Sequence, residues 1–362
     1  MKIKIEKSDL LNGIQIVQNV VSLRATLPIL SNILIETQAG DLRLIATDLD
    51  IGISCLIPVN ISEEGAITLP AKRFSDIIKE LPDAPIEIEV KKNNQIEIEC
   101  EKCKFKLPGL PKDEFPKLPE FKDKEVIKIE QSILKEMLDL TSFAVSREET
   151  RYILNGILLE IKEDLIRLVA TDGRRLALRE NKLPIPFKKE VRVIIPIKAV
   201  QEISRNLKQE GEVLMVMGTN QVMFDINKTL IVSRLIEGEF PNYNQVIPKP
   251  AEPKITINKE SFLSAIRRAN LLSTPDFQAI KFEVFKNKMV ISKSTPDVGE
   301  SREELAIEYA GKELIIGFNP HYLIDALKNL REEEVNLELT DADKPGVIRS
   351  EGYLYLVLPM RI

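Results

Sequence analysis

Apolar residues along this chain switch between two spacings, and the switch recurs three times. Lys4-Ile5-Glu6-Lys7-Ser8-Asp9-Leu10 alternates, then continues through Ile14, Val17 and Val21 at helical spacing. Lys128-Ile129-Glu130-Gln131-Ser132-Ile133-Leu134 leads likewise into Leu138, Thr141 and Val145, and Thr256-Ile257-Asn258-Lys259-Glu260-Ser261-Phe262 into Ile266, Ala269 and Leu272. Period two marks a strand with one buried face, and apolar residues at i, i+4, i+7 mark an amphipathic helix. Each stretch predicts a short strand, then a helix ending near a serine, at Ser22, Ser146 and Ser273.

The register holds downstream. Ala46-Thr47-Asp48 reappears as Ala170-Thr171-Asp172, and Glu114-Phe115-Pro116 as Glu239-Phe240-Pro241. Leu69-Pro70-Ala71-Lys72 matches Ile195-Pro196-Ile197-Lys198 and, more loosely, Phe318-Asn319-Pro320-His321. Such matches at nearly constant offset define a repeat of about 120 residues. Within a repeat the pattern is itself doubled: strand, helix and three strands over 3–57, then again over 66–107. Ile86, Ile88 and Val90 alternate with glutamates, as do Ile96, Ile98 and Cys100, and Asn93-Asn94 sits where a hairpin turn belongs. Each repeat is expected to be α+β, with two antiparallel sheets and two helices on one side. Proline-rich joints at Pro116–Pro119 and Pro248–Pro253 divide the chain into domains 1–122, 123–250 and 251–362.

Composition narrows the function classes. With 44% hydrophobic and 30% charged residues, the 362-residue chain reads as globular. No apolar run approaches the roughly 18 residues of a membrane span. The opening Met1-Lys2-Ile3-Lys4-Ile5-Glu6 lacks the apolar stretch of a secretion signal, so a cytoplasmic location is expected. Three cysteines make no disulfide framework, in keeping with a reducing compartment. Without a secretion signal, the glycosylation-like Asn60-Ile61-Ser62 and Asn227-Lys228-Thr229 read as chance. A net charge of −5 argues against a uniformly basic nucleic-acid binder but allows acid on one face and base on another. The predicted helices carry Lys72, Arg73, Lys79, Lys135, Lys198, Arg205, Lys208, Arg267, Arg268, Lys328 and Arg331.

Catalytic chemistry is hard to find. His321 stands alone at a predicted helix start, with no second histidine to share a metal. Cys100-Glu101-Lys102-Cys103 falls on a hairpin tip, and Cys55 with His321 does not complete a four-ligand zinc site. Ala310-Gly311-Lys312-Glu313 lacks the upstream glycine and the Ser/Thr of a phosphate loop. Asp48 and Asp172 follow strands at equivalent places and read as turn residues that bond local N–H groups. The expectation is a scaffold that needs no cofactor and no metal. A protein-only adaptor, or an enzyme using Asp48, Asp172 and arginines, remain as rival readings.

Four stretches carry a resemblance. Arg24-Ala25-Thr26-Leu27-Pro28-Ile29-Leu30, Tyr152-Ile153-Leu154-Asn155-Gly156, Ala170-Thr171-Asp172-Gly173-Arg174-Arg175-Leu176-Ala177 and Leu358-Pro359-Met360-Arg361-Ile362 resemble the bacterial sliding clamps, the beta subunit of DNA polymerase III. The resemblance runs the full length. It implies the DNA-clamp fold, a head-to-tail homodimeric ring around duplex DNA that slides without reading bases and tethers a polymerase. Matched positions imply DNA contacts at Arg24, Arg73, Arg147, Tyr152, Lys198 and Arg205. They imply a pocket for short peptides of polymerase, clamp loader and repair proteins at Leu154, Thr171, Gly173, Arg174, Arg175, Leu176, Pro241, Val246, Leu356, Leu358 and Met360. They imply closure through Leu271 and Leu272; opposite these we expect Ile78, Phe105 and the basic strand Lys102, Lys104 and Lys106, its charges facing Glu300, Glu303 and Glu304. For Tyr152, packing beside Leu154 stands as the alternative to a DNA contact, and Leu154 and Leu176 also read as core.

Overall fold

The computed structural model describes residues 1–21, 27–119, 121 and 124–362. The first repeat runs β1 (Lys2–Ile5), α1 (Lys7–Gln18), β2 (Asn32–Gln38), β3 (Asp41–Thr47), β4 (Ile51–Pro58), β5 (Asn60–Glu63), β6 (Ala66–Pro70), α2 (Ala71–Glu80), β7 (Ile86–Val90), β8 (Gln95–Cys100) and β9 (Cys103–Pro108). The second runs β10 (Val126–Glu130), α3 (Gln131–Asp139), β11 (Gly156–Thr171), β12 (Arg175–Pro196), α4 (Ile197–Asn206), β13 (Glu212–Met217), β14 (Gln221–Ile226) and β15 (Thr229–Arg234). The third runs β16 (Ile255–Asn258), α5 (Lys259–Asn270), β17 (Ile280–Phe285), β18 (Lys288–Thr295), β19 (Gly299–Ala306), β20 (Leu314–Phe318), α6 (Pro320–Asn329), β21 (Glu334–Glu338), β22 (Gly346–Ser350) and β23 (Tyr353–Val357). The short strand β5 is additional to the expected pattern. The helix α3 stops at Asp139, well before Ser146, and Thr141 Oγ1 donates to Met137 O at 2.7 Å. Ser22 lies outside the described residues.

The four sheets are antiparallel, and two of them cross repeat boundaries. Their orders are β5-β1-β7-β8-β9, β10-β13-β14-β15-β4-β3-β2-β6, β11-β12-β23-β22-β21-β16 and β19-β18-β17-β20. Each repeat contributes strands to two antiparallel sheets, as expected, and neighbouring repeats share a sheet at each boundary. The fourth strand of the first repeat, β4, pairs with the last strand of the second, β15, with Ser233 opposite Ile51. In the same way β12 pairs with β23, with Val357 opposite Arg175. The chain accordingly parts into two compact units, 1–132 with 198–235 and 133–197 with 236–362, each holding two whole sheets.

The helices bury the faces their spacing predicts. In α1 these are Leu10, Gly13, Ile14 and Val17. A Cβ on Gly13 would come within 3.0 Å of Ile57 Cδ1, so glycine lets α1 settle onto β4. Asn258 and Asn319 cap α5 and α6, accepting from Ser261 N and His321 N, each at 3.0 Å. The Pro-containing motifs mark strand-to-helix steps at Pro70, Pro196 and Pro320. The repeat extends to the cores: Phe115 packs with Leu34 and Ile45, and Phe240 with Leu158 and Val169 at matching places.

Candidate interaction surfaces

The turns that open the shared strands are built alike. Asp48 Oδ1 accepts from Asp50 N at 3.1 Å and Ile51 N at 2.8 Å, and Asp172 Oδ1 from Arg174 N at 2.9 Å and Arg175 N at 3.0 Å. Thr47 and Thr171 hydroxyls donate to Ile51 O and Arg175 O at 2.8 and 2.6 Å. Leu49 and Gly173 occupy the same left-handed place, at φ 79° and 85°. Both aspartates are turn residues, as the sequence suggested. From each turn runs a joint strand: Arg234 N donates to Asp50 O at 2.8 Å, and Leu358 N to Arg174 O at 2.9 Å.

The second turn borders an apolar surface in the 133–197/236–362 unit. Its floor is buried: Leu176 and Leu356 pack with Leu158, Val169, Leu178, Phe240, Tyr243 and Leu354, with Leu154 partly covered against them. Its rim is exposed, with Val246 54%, Leu358 41% and Met360 37% accessible. Pro241, Gly173 and Arg174 are also exposed. Met360 N donates to Gly317 O at 2.8 Å, tying the C-terminal segment to β20. The residues expected at the pocket thus divide into buried and exposed sets. Arg175 is buried, and its charge is held internally. Its Nε reaches Asp172 Oδ2 at 3.0 Å, Nη1 reaches Asp325 Oδ2 at 2.8 Å and Nη2 reaches Phe143 O at 2.7 Å. Its guanidinium also stacks 4.6 Å from the Tyr322 ring centroid. Beside this clamp a cavity of about 430 Å³ gathers Arg147, Arg174, His321 and Tyr322. Sequence reasoning set His321 aside, and its apparent isolation hid the company the fold gives it.

The basic residues differ in how free their charges are. Arg24 lies outside the described residues. Arg73 is exposed on α2 and Arg147 is exposed before the short turn at 149–154. Lys198 is ion-paired with Asp48, and Arg205 with Glu202. Tyr152 is 58% exposed, which disfavours packing beside Leu154 as its role.

The strands β9 and β19 are terminal in their sheets. On β9, Phe105 is 39% exposed and flanked by exposed Lys104 and Lys106, both ion-paired with Glu97 across the hairpin. On β19, Arg268 grips Glu303 at 2.5 Å and Arg302 reaches Glu304 at 2.8 Å, while the Ser294 hydroxyl donates to Glu300 at 2.9 Å. Leu271, 80% exposed, follows α5 on a loop pinned by Thr295 Oγ1 to Leu272 O at 2.6 Å and by Lys293 Nζ to Phe277 O at 2.7 Å. Ile78 is a correction: on α2, like Phe74, it is fully buried and presents no surface. Among the described residues no group of His, Cys, Asp and Glu could hold a metal ion, and no helix is long and apolar enough to cross a membrane.

Three like repeats and two strand-sharing joints define a tandem-repeat protein. The comparisons with known proteins specify which. The family described as DNA polymerase III beta subunit matches with its N-terminal domain over residues 1–119, its central domain over 128–242 and its C-terminal domain over 244–361. The beta sliding clamp of Bacillus subtilis strain 168 is 36% identical over 376 residues, spanning 100% of both chains. A crystal structure of the Bacillus subtilis sliding clamp superposes with TM-score 0.96 at 36% identity, covering 100% of this chain and 99% of that one. A Pseudomonas aeruginosa sliding clamp bound to griselimycin superposes at 0.95 with 33% identity over 100% of both chains. The chain belongs to the DNA polymerase III beta subunit family. It is a processivity clamp and not an enzyme.

Proposed function

We propose that two copies close head to tail into a ring around duplex DNA, in the cytoplasm, and tether the replicative polymerase to its template. The observation that carries the reading is the repetition of one joint. β4 meets β15, and β12 meets β23, with matched registers and matched turn hydrogen bonds. Domains bounded at 1–122, 123–250 and 251–362 leave one joint of the series unmade, between β19 and β9. A second copy supplies it, and a heterologous contact that closes on itself gives a ring. Carrying the internal register over sets Gly299 opposite Lys106, Glu300 opposite Phe105, Ser301 opposite Lys104 and Glu303 opposite Lys102. Residues equivalent to Phe105 in the two made joints, Ile231 and Tyr355, are fully buried.

Sliding follows from contacts to phosphate without base reading, supplied by Arg24, Arg73, Arg147, Tyr152, Lys198 and Arg205. Retention is topological, so a tethered polymerase works at high effective concentration. The surface around Leu154, Thr171, Gly173, Arg174, Leu176, Pro241, Val246, Leu356, Leu358 and Met360 takes short apolar peptides from polymerase, loader and repair proteins, and griselimycin in the same place. A copy loaded on nicked circular DNA is expected to slide off once the circle is linearised; retention on linear DNA with unblocked ends would overturn the ring. Changing Leu271 and Leu272 together to alanine is expected to give monomers in sedimentation.

A further inference from the structure

The repeat symmetry offers an internal control for one residue beside the peptide surface. In the first repeat Arg43 on β3 pairs directly with Glu36 on β2 at 3.3 Å, and Leu118 packs close by against the Phe115 cluster. The equivalent places in the second repeat are Arg167, Glu160 and Tyr243. There the direct Arg–Glu distance opens to 3.7 Å, and the Tyr243 hydroxyl stands between the two charges. It donates to Glu160 Oε2 and accepts from Arg167 Nη1 at 3.0 Å. Each charge has a second anchor: Arg192 holds Glu160 Oε1 at 2.5 Å, and Arg167 holds Glu180 Oε2 at 2.8 Å. The Tyr243 ring is only 3% exposed and packs into the floor of the peptide surface.

The segment that carries Tyr243 also carries the rim residues Pro241 and Val246. It forms no strand, so its position rests on what its side chains hold. Phe240 anchors it by packing alone, as Phe115 does in the first repeat. The hydroxyl tether is what the second repeat adds, and it occurs in the repeat that carries the peptide surface. We infer that Tyr243 is a positioning residue for peptide binding, whose tether to the Glu160–Arg167 pair fixes the Pro241–Val246 rim against the floor. The inference rests on the peptide-surface reading above.

The test uses the full-length protein and griselimycin as probe, with affinity measured by calorimetry. Tyr243→Phe keeps the buried ring and lets Arg167 and Glu160 pair directly, as Arg43 and Glu36 do, so the fold is expected to hold. Losing one hydrogen bond to a charged group predicts affinity about 10-fold weaker. Glu160→Gln weakens the same tether from the other side and gives a smaller loss in the same direction. Double-variant cycles separate positioning from general loosening. The loss from Tyr243→Phe is expected to be non-additive with Val246→Ala and additive with Leu358→Ala. Unchanged affinity in Tyr243→Phe, or additivity with both partners, overturns the inference while wild-type binding stands. Wild-type protein that fails to bind griselimycin removes the surface reading and this inference together.

Discussion

Replacing Phe105 with alanine probes the joint that a single copy leaves unmade. In the two internal joints the equivalent Ile231 and Tyr355 are 0% exposed, whereas Phe105 keeps 39% of its surface in water. An aromatic side chain offers roughly 200 Å², so closure covers roughly 80 Å² more of Phe105. At about 25 cal/mol per Å² that burial stabilises each interface by roughly 2 kcal/mol. A two-copy ring makes the joint twice, so the variant loses roughly 4 kcal/mol, about a thousandfold in the dimer dissociation constant. Sedimentation equilibrium over three decades of concentration measures the shift directly. The variant monomer should keep wild-type circular dichroism, because partial exposure makes Phe105 a minor part of the fold within one copy. A dissociation constant unchanged within twofold, or a wild-type protein monomeric throughout, would refute the transfer of the joint from inside the chain to its partner.

Other outcomes test the turns, the charges and the buried thiol. Leu49 sits at φ 79° where Gly173 stands at 85°, so Leu49→Gly should raise the urea midpoint, gaining up to about 1 kcal/mol. Gly173→Leu should lose stability, since a side chain at φ 85° is strained in the left-handed region. Arg73→Ala should weaken DNA binding equally on all sequences and reduce the log–log salt slope by about 1. Lys198→Ala should reduce it less, because Asp48 already holds that ammonium. Burial pushes the Cys55 thiol up to about 12, so iodoacetamide at mildly alkaline pH should modify it only after unfolding. Its sign is that of a raised group. Its stabilising effect is full below the ordinary thiol range and declines as pH rises toward 12, because the unfolded thiol ionises first.

Local pattern made the repeat legible, and long-range pairing hid the rest. Helix faces, hairpins and the two aspartate turns rest on residues a few positions apart, where spacing and turn chemistry speak directly. The pairing of β4 with β15 joins residues far apart in sequence, and nothing in either strand names its partner. Ile78 shows the limit from another side. Its spacing from Phe74, one helical turn, is that of a buried helix face, whereas the resemblance suggested a place in the closing interface. Arg175 is expected in the peptide pocket from the resemblance, and its sequence neighbours do not show how its charge is held. Asp325, 150 residues away in sequence, joins Asp172 and Phe143 O in holding that buried charge. β5 escaped notice because its four residues are mostly exposed and show no apolar alternation.

Strand sharing also sets a timetable for synthesis. Cys55 on β4 must wait for Thr229, and Leu178 on β12 for Leu354, gaps of 174 and 176 residues. At translation speeds of about 5–20 residues per second, each edge stands open for roughly 10–35 s after it emerges. During that interval β4 is an apolar strand with free backbone groups beside the ribosome. The first repeat cannot finish until the second is nearly made, nor the second until the third is. The newborn chain therefore hands an unsatisfied edge from repeat to repeat, while β9 waits open from the time it is made.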